Sequence, residues 1–193
     1  AYAIQKETEE YIGNLIEQAV DMSGETNVVI AGGYGLNCVA NYYYKERFPD
    51  LNIFVDPVSH DGGTAIGLAK FFHYMETEST EKDPLTTLYL GPEHKYTKKD
   101  LPSDLEVEEV SPADVAKLIS EKNIVAMFQG RSEAGPRALG NRSILYNPTD
   151  PKGKDHVNTV KGREWFRPFA GTVMQEYAGD WFDLKGMGET PFM

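Results

Sequence analysis

The stretch Asn27–Val55, NVVIAGGYGLNCVANYYYKERFPDLNIFV, decides the fold class. Asn27–Ala31 is a short β-branched run, bounded by Gly24 before it and by Gly32 and Gly33 after it, and reads as a buried strand. A helix is expected from about Leu36 to Arg47, and Leu51–Val55 repeats the strand pattern. Beyond the loop Asp56–Gly63 a further helix is expected over about Thr64–Tyr74, with Ile66, Leu68, Ala69 and Phe72 available for packing. Strand, helix, strand and helix in so short a span define an open α/β layer. Upstream, Ile12, Leu15, Ile16, Ala19 and Met22 recur at helical spacing, which predicts an amphipathic helix over Thr8–Met22.

Downstream, Glu76–Pro84 (ETESTEKDP) is polar and free of large apolar side chains. It reads as a linker and separates a domain at 1–78 from one at 79–193. Thr86–Leu90, Leu105–Val110 and Ile124–Phe128 are predicted as strands. Ser111-Pro112-Ala113-Asp114 opens a helix in a capping-box pattern with proline at its first position. From Gln129 to Pro168 the pattern turns irregular and rich in glycine, arginine and proline. A strand is then expected over Phe169–Met174 and a short helix over Glu176–Phe182.

The net charge of −11 argues against a general nucleic-acid or membrane-surface binder. Its distribution says more. Between Gln129 and Pro168 eight basic residues face four acids, so this stretch is a cationic island in an acidic chain. No apolar run reaches the ~20 residues that cross a bilayer, and Lys6, Glu7, Glu9 and Glu10 do not suit a secretory signal. Cys38, the only cysteine, cannot form an internal disulfide and fits a reducing compartment. It reads as a small buried hydrophobe beside a turn. These features together imply a cytoplasmic chain.

Three places carry candidate chemistry. Gly32-Gly33-Tyr34-Gly35-Leu36-Asn37 joins a strand to a helix, where glycines admit close backbone approach and a helix N-terminus offers N–H groups to an anion. It serves either a nucleotide or simply a tight connection, with Asn37 and Asn41 adding a polar edge. Ser59-His60-Asp61-Gly62-Gly63 lies at the carboxyl end of a strand, where open α/β sheets place ligands. Asp61 there is either a helix cap or a metal ligand, with His60 as a second ligand. His73, His94 and His156 show no ligand-like spacing. The third place is QGRSEAGPRALGNRS from Gln129, followed later by VKGREWFRPFA from Val160. Arginines among glycine, proline, serine and asparagine, without helical period, suit bidentate grip on phosphate or carboxylate. Trp165 and Phe166, between the basic residues, are placed to exclude water. Arg131, Arg137, Arg142, Lys161, Arg163 and Arg167 are therefore expected to converge on one anion-binding hollow, the alternative being structural arginines that bond loop carbonyls.

These residues also carry a resemblance. Gly130-Arg131-x-Glu133-x-Gly135-Pro136-Arg137-Ala138-Leu139-Gly140-Asn141-Arg142-Ser143-Ile144, followed by Lys161-x-Arg163-Glu164-x-x-Arg167-Pro168-Phe169-Ala170, resembles the carbamoyltransferases of the nodulation (NodU), cephamycin and tobramycin type. The resemblance extends to the Gly32-Gly33-x-x-Leu36-Asn37 turn and the Asp61-Gly62-Gly63 loop. It implies an α/β chain made of the C-terminal part of an actin-like (ASKHA) ATPase domain, followed by a partial YrdC-like domain. It implies that carbamoyl phosphate and ATP give carbamoyl-adenylate, and that the carbamoyl group then passes to a hydroxyl of a small-molecule acceptor. By this resemblance Lys161, Arg163, Arg167 and Arg137 are catalytic, and Arg131, Asn141, Arg142 and Ser143 bind carbamoyl phosphate and ATP. Gly32, Gly33 and Asn37 form a nucleotide turn. Asp61 becomes a ligand of a divalent magnesium or iron ion, the other ligands lying outside this chain, which takes it from the capping role.

The family's actin-like domain begins well upstream of the first residue here, so the chain reads as a piece of a larger enzyme, silent in catalysis by itself. Two other readings stand beside this one. A non-catalytic nucleotide- or anion-binding module would keep the pocket without turnover. A protein related to tRNA threonylcarbamoylation would need a polyanion partner, which the net charge of −11 opposes.

Overall fold

A computed structural model describes residues 1–79, 81, 85–190 and 192. The chain divides into two compact units, Ala1–Leu85 with the segment from Gly179 onward, and Thr86–Ala178. The polar linker expected at Glu76–Pro84 lies partly outside the described residues.

In the first unit the open α/β layer is present. Helix α1 covers Tyr2–Ser23, strand β1 Asn27–Ile30, helix α2 Cys38–Arg47, strand β2 Asn52–Val55 and helix α3 Thr64–Thr77. β1 and β2 pair in parallel, from Asn27 opposite Asn52 to Ile30 opposite Val55, with α2 as the connection that a parallel pair requires. Val28, Ile30 and Ile53 pack toward a core of Ile16, Ala40, Tyr44 and Leu51, while Val29 and Phe54 on the alternate face stay exposed. Tyr44 is wholly buried. Its hydroxyl meets that of Tyr34 at 3.1 Å, and burial first, then this neighbour, pushes its pKa up.

Polar side chains clamp α1 to α2. Arg47 donates to Asn14 Oδ1 at 2.8 Å and to Glu17 Oε2 at 3.0 Å, and the Tyr43 hydroxyl donates to Glu10 Oε1 at 2.7 Å. Glu9 is buried in this face. Its carboxylate accepts from Lys6 Nζ at 2.7 Å and from Gln5 Nε2 at 2.8 Å, and these two bonds hold its pKa below the ordinary range. The segment from Gly179 joins this unit through Lys185, whose ammonium lies 3.1 Å from Glu46 and over the ring of Tyr42.

Two expectations fail here. Cys38 is exposed at the start of α2 instead of buried, because the core takes the face bearing Ala40 and Tyr44. No residue of α3 is buried, so Leu68 and Phe72 stand in solvent together with Phe71 and Met75.

The second unit carries helix α4 (Pro112–Ser120), strands β3 (Val125–Phe128) and β4 (Arg142–Leu145), and helix α5 (Gly153–Val160). Ser111 caps α4 in the expected reciprocal box with Asp114, proline following at the first turn. β3 and β4 pair antiparallel, with Phe128 opposite Arg142. The strands expected at Thr86–Leu90, Leu105–Val110 and Phe169–Met174 do not form. Residues 88–92 instead lie against 131–134, with Ala134 N donating to Leu88 O at 2.6 Å and Gly91 N to Ser132 O at 2.9 Å, and Leu88 is buried there. The stretch read as irregular conversely contains β4 and α5. The short helix expected at Glu176–Phe182 is a turn of 3-10 helix at Gln175–Tyr177 running into α6, Ala178–Trp181.

Candidate functional site

In the first unit, the glycine turn and the Asp61 loop meet at the carboxyl ends of the parallel strands. Gly32 has φ 91, which glycine adopts freely, and its N–H donates to Ser59 O at 2.9 Å, tying the two loops together. A Cβ added at Gly32 or Gly33 would meet open space, so the backbone stays accessible to a ligand. Residues Gly33–Leu36 form a turn of 3-10 helix before α2 begins. Asn37 caps α2 by accepting from Ala40 N at 3.2 Å, and it exchanges bonds with Gln5 on α1 at 3.0 and 3.3 Å. Asn41 donates to Gly35 O at 2.8 Å.

Asp61 is exposed and starts a turn of 3-10 helix, and its side chain does not cap α3. His60 beside it keeps a buried Nδ1 without a partner. Among the described residues no three His, Cys, Asp or Glu side chains gather where they could hold a metal ion. A single carboxylate does not fit the multi-ligand shell of magnesium or iron, so these residues alone do not make a metal centre.

In the second unit, the connection 129–141 between β3 and β4 is organised by its own side chains. Glu133 sits at its middle, where Oε1 accepts from Leu139 N and Asn141 N at 2.8 Å each and from Arg142 N at 3.2 Å. Burial acts to raise the pKa of this carboxyl, but the backbone donors outweigh it and hold the group below the ordinary range. Arg131 donates to Gly91 O and Leu90 O at 2.8 Å, and Asn141 Nδ2 donates to Arg131 O at 2.7 Å. Arg142 donates to Gln129 O at 2.7 Å and lies 3.6 Å over the Phe128 ring. Ser143, buried, accepts from Gly140 N at 2.8 Å. Arg131 and Asn141 lie in this connection, Arg142 and Ser143 open β4 directly after it, and Arg137 within the connection is partly buried. A guanidinium carries five N–H donors, so Arg131 keeps donors to offer beyond its two carbonyls.

The basic run after α5 forms a second arm. Arg163 donates to Pro168 O at 3.1 Å and lies over the Phe169 ring, while Arg167 pairs with Glu164. Lys161 is exposed. Trp165 is 72% and Phe166 50% exposed, so within this chain they do not shield the arm from water as expected. Asn158, buried on α5, donates to Trp165 O and Arg167 O.

Glu133 and Asn158 are the residues that sequence reasoning passed over as organisers. A carboxylate two residues before the Gly135-Pro136 turn was the only signal for the first. Nothing in the spacing marked the second.

Residues 1–70 match the family model described as the carbamoyltransferase N-terminus, and residues 116–193 match the carbamoyltransferase C-terminus. The chain belongs to the carbamoyltransferase family. Among its relatives, nodulation protein NolNO of Sinorhizobium fredii is 34% identical over 99% of this chain and 30% of its own length. Nodulation protein NolO of Bradyrhizobium diazoefficiens is 33% identical over 99% of this chain and 37% of its own. Nodulation protein U of Sinorhizobium fredii is 37% identical over 83% of this chain and 28% of its own. The chain thus spans about a third of the length of the curated relatives it matches. Among the described residues no helix is long and apolar enough to cross a membrane.

Proposed function

We propose that this chain is part of an ATP-dependent O-carbamoyltransferase, and that its second unit handles carbamoyl phosphate and ATP. The observation that carries this reading is the pair of basic arms, Arg131–Ser143 and Lys161–Arg167, in one compact unit of a carbamoyltransferase family member. In this reading the phosphoryl group of carbamoyl phosphate leaves to water as phosphate. The carbamate oxygen then attacks the α-phosphorus of ATP, and pyrophosphate departs. The acceptor's hydroxyl finally attacks the carbamoyl carbon, releasing AMP.

Arg131, Asn141, Arg142 and Ser143 bind the phosphates from the first arm. Lys161, Arg163, Arg167 and Arg137 also hold the phosphate of carbamoyl phosphate and stabilise charge that develops in transfer, a role in which one well-placed donor supplies ~3 kcal/mol. The second unit takes the YrdC-like role and the first the actin-like role, with Gly32, Gly33 and Asn37 as its nucleotide turn. The open space before Gly32 and Gly33 supports that assignment. Asp61 contributes at most one ligand to a divalent ion whose other ligands lie outside this chain.

The test is pyrophosphate release from ATP, dependent on carbamoyl phosphate, by a full-length protein that includes this chain. Its absence refutes the reading, and carbamoyl transfer by this chain alone is expected to be undetectable. One observation favours a second reading, a binding module without turnover: Arg131, Arg142 and Arg163 already donate to carbonyls of their own surroundings. Carbamoyl phosphate binding without any pyrophosphate release would select it.

A further inference from the structure

Asn158 is 1% exposed, on a helix whose other buried residues are Gly153 and Val157. Three bonds join it to the arm that follows. Its carbonyl accepts from Arg163 N at 3.0 Å, across Gly162 with φ 60, which closes the helix end. Its side-chain amide donates to Trp165 O at 3.3 Å and to Arg167 O at 3.0 Å. One residue therefore holds positions 163, 165 and 167, two of which bear the arginines of the arm.

The Oδ1 atom of the same side chain is buried without a partner. Burying such an atom is unfavourable, and an apolar residue would fill the volume without that cost. What the amide adds is direction, because its two hydrogens fix two carbonyls two residues apart. We infer that Asn158 is a positioning residue for the arm Lys161–Arg167, fixing the backbone from which Arg163 and Arg167 meet the phosphate. The inference rests on the proposed role of this arm in binding carbamoyl phosphate.

The experiment compares this chain with Asn158→Ala, Asn158→Asp and, as a control, Val157→Ala, which trims a neighbouring buried side chain that makes no bond to the arm. The first measurement is native-state trypsin cleavage after Lys161 and Arg163, which reports how often the arm opens. Both Asn158 variants are expected to be cut at least about tenfold faster than the parent chain, and Val157→Ala much less so. The second is affinity for carbamoyl phosphate, expected to fall about tenfold in both Asn158 variants and to stay near the parent value in the control. In Asn158→Asp it should recover as pH falls, because a protonated carboxyl regains a donor, whereas Asn158→Ala should show no such recovery. That pH profile also decides the matter if Asn158→Ala loses its fold.

Unchanged cleavage in both Asn158 variants overturns the inference, and so does faster cleavage with parental affinity. If the parent chain does not bind carbamoyl phosphate, the proposed function of the arm fails. Trypsin then still decides whether Asn158 holds the arm in shape.

Discussion

Glu133 shows how one side chain can shape a loop that sequence marks only as basic. Its carboxylate takes three backbone N–H groups from Leu139, Asn141 and Arg142. Replacing it by alanine leaves them unpaired, and hydrogen bonds to a charged group are worth ~1.5–3 kcal/mol, so Glu133→Ala should destabilise the second unit by about 2 kcal/mol in urea unfolding. The pH dependence has a definite sign. A carboxyl whose folded pKa is depressed stabilises fully above its unfolded value and loses that contribution as pH falls through the folded one. The difference in thermal midpoint between the parent chain and Glu133→Gln should therefore narrow on acidification below the ordinary glutamate range. A gap independent of pH would show that the charge is not what holds the loop. The four acids counted in this basic stretch include Glu133, but its role depends on which N–H groups the fold brings to it.

At the scale of elements, what was legible followed from contrast. β1, α2 and β2 stand out because β-branched runs alternate with a polar-aromatic helix, and glycines mark the joints. Ser111 with Asp114 announces α4 by local chemistry alone. β4 was hidden because Arg142 and Ser143 read as site residues. α5 was hidden because two of its buried positions, Gly153 and Asn158, carry no hydrophobic signal. The runs at Thr86–Leu90, Leu105–Val110 and Phe169–Met174 have strand-like composition, yet β-propensity is realised only against a partner strand. Asn37 offers the test at this scale. As cap of α2 and partner of Gln5, it should cost about 1–2 kcal/mol when changed to alanine, measured by chemical unfolding. An unchanged midpoint would mean that the cap contributes nothing. A further loss of ATP affinity beyond that cost would support its place in a nucleotide turn.

For the whole molecule, the first unit leaves an apolar surface uncovered. Leu68, Phe71, Phe72 and Met75 on α3 are each more than half exposed, as are Val29 and Phe54 on the sheet. Exposed positions contribute little to stability, so Phe71→Glu combined with Phe72→Glu should shift unfolding free energy by no more than about 0.5 kcal/mol per site. The same change should reduce self-association in light scattering. A large loss of stability would show that α3 packs against something within this chain.

By itself, the amino-acid order determined the α/β class, the glycine joints, the capped helix and the concentration of arginine between Gln129 and Ala170. Each of these depends on neighbours a few residues apart, and local sterics, hydrogen bonding and charge express them directly. Tertiary structure alone decided that Asn37 joins two helices, that Arg131 and Arg142 bond carbonyls of their surroundings, and that Glu133 and Asn158 hold the two basic arms. Those roles rest on bonds between groups whose approach is set by folding, and a polar side chain takes whichever partner burial leaves within reach.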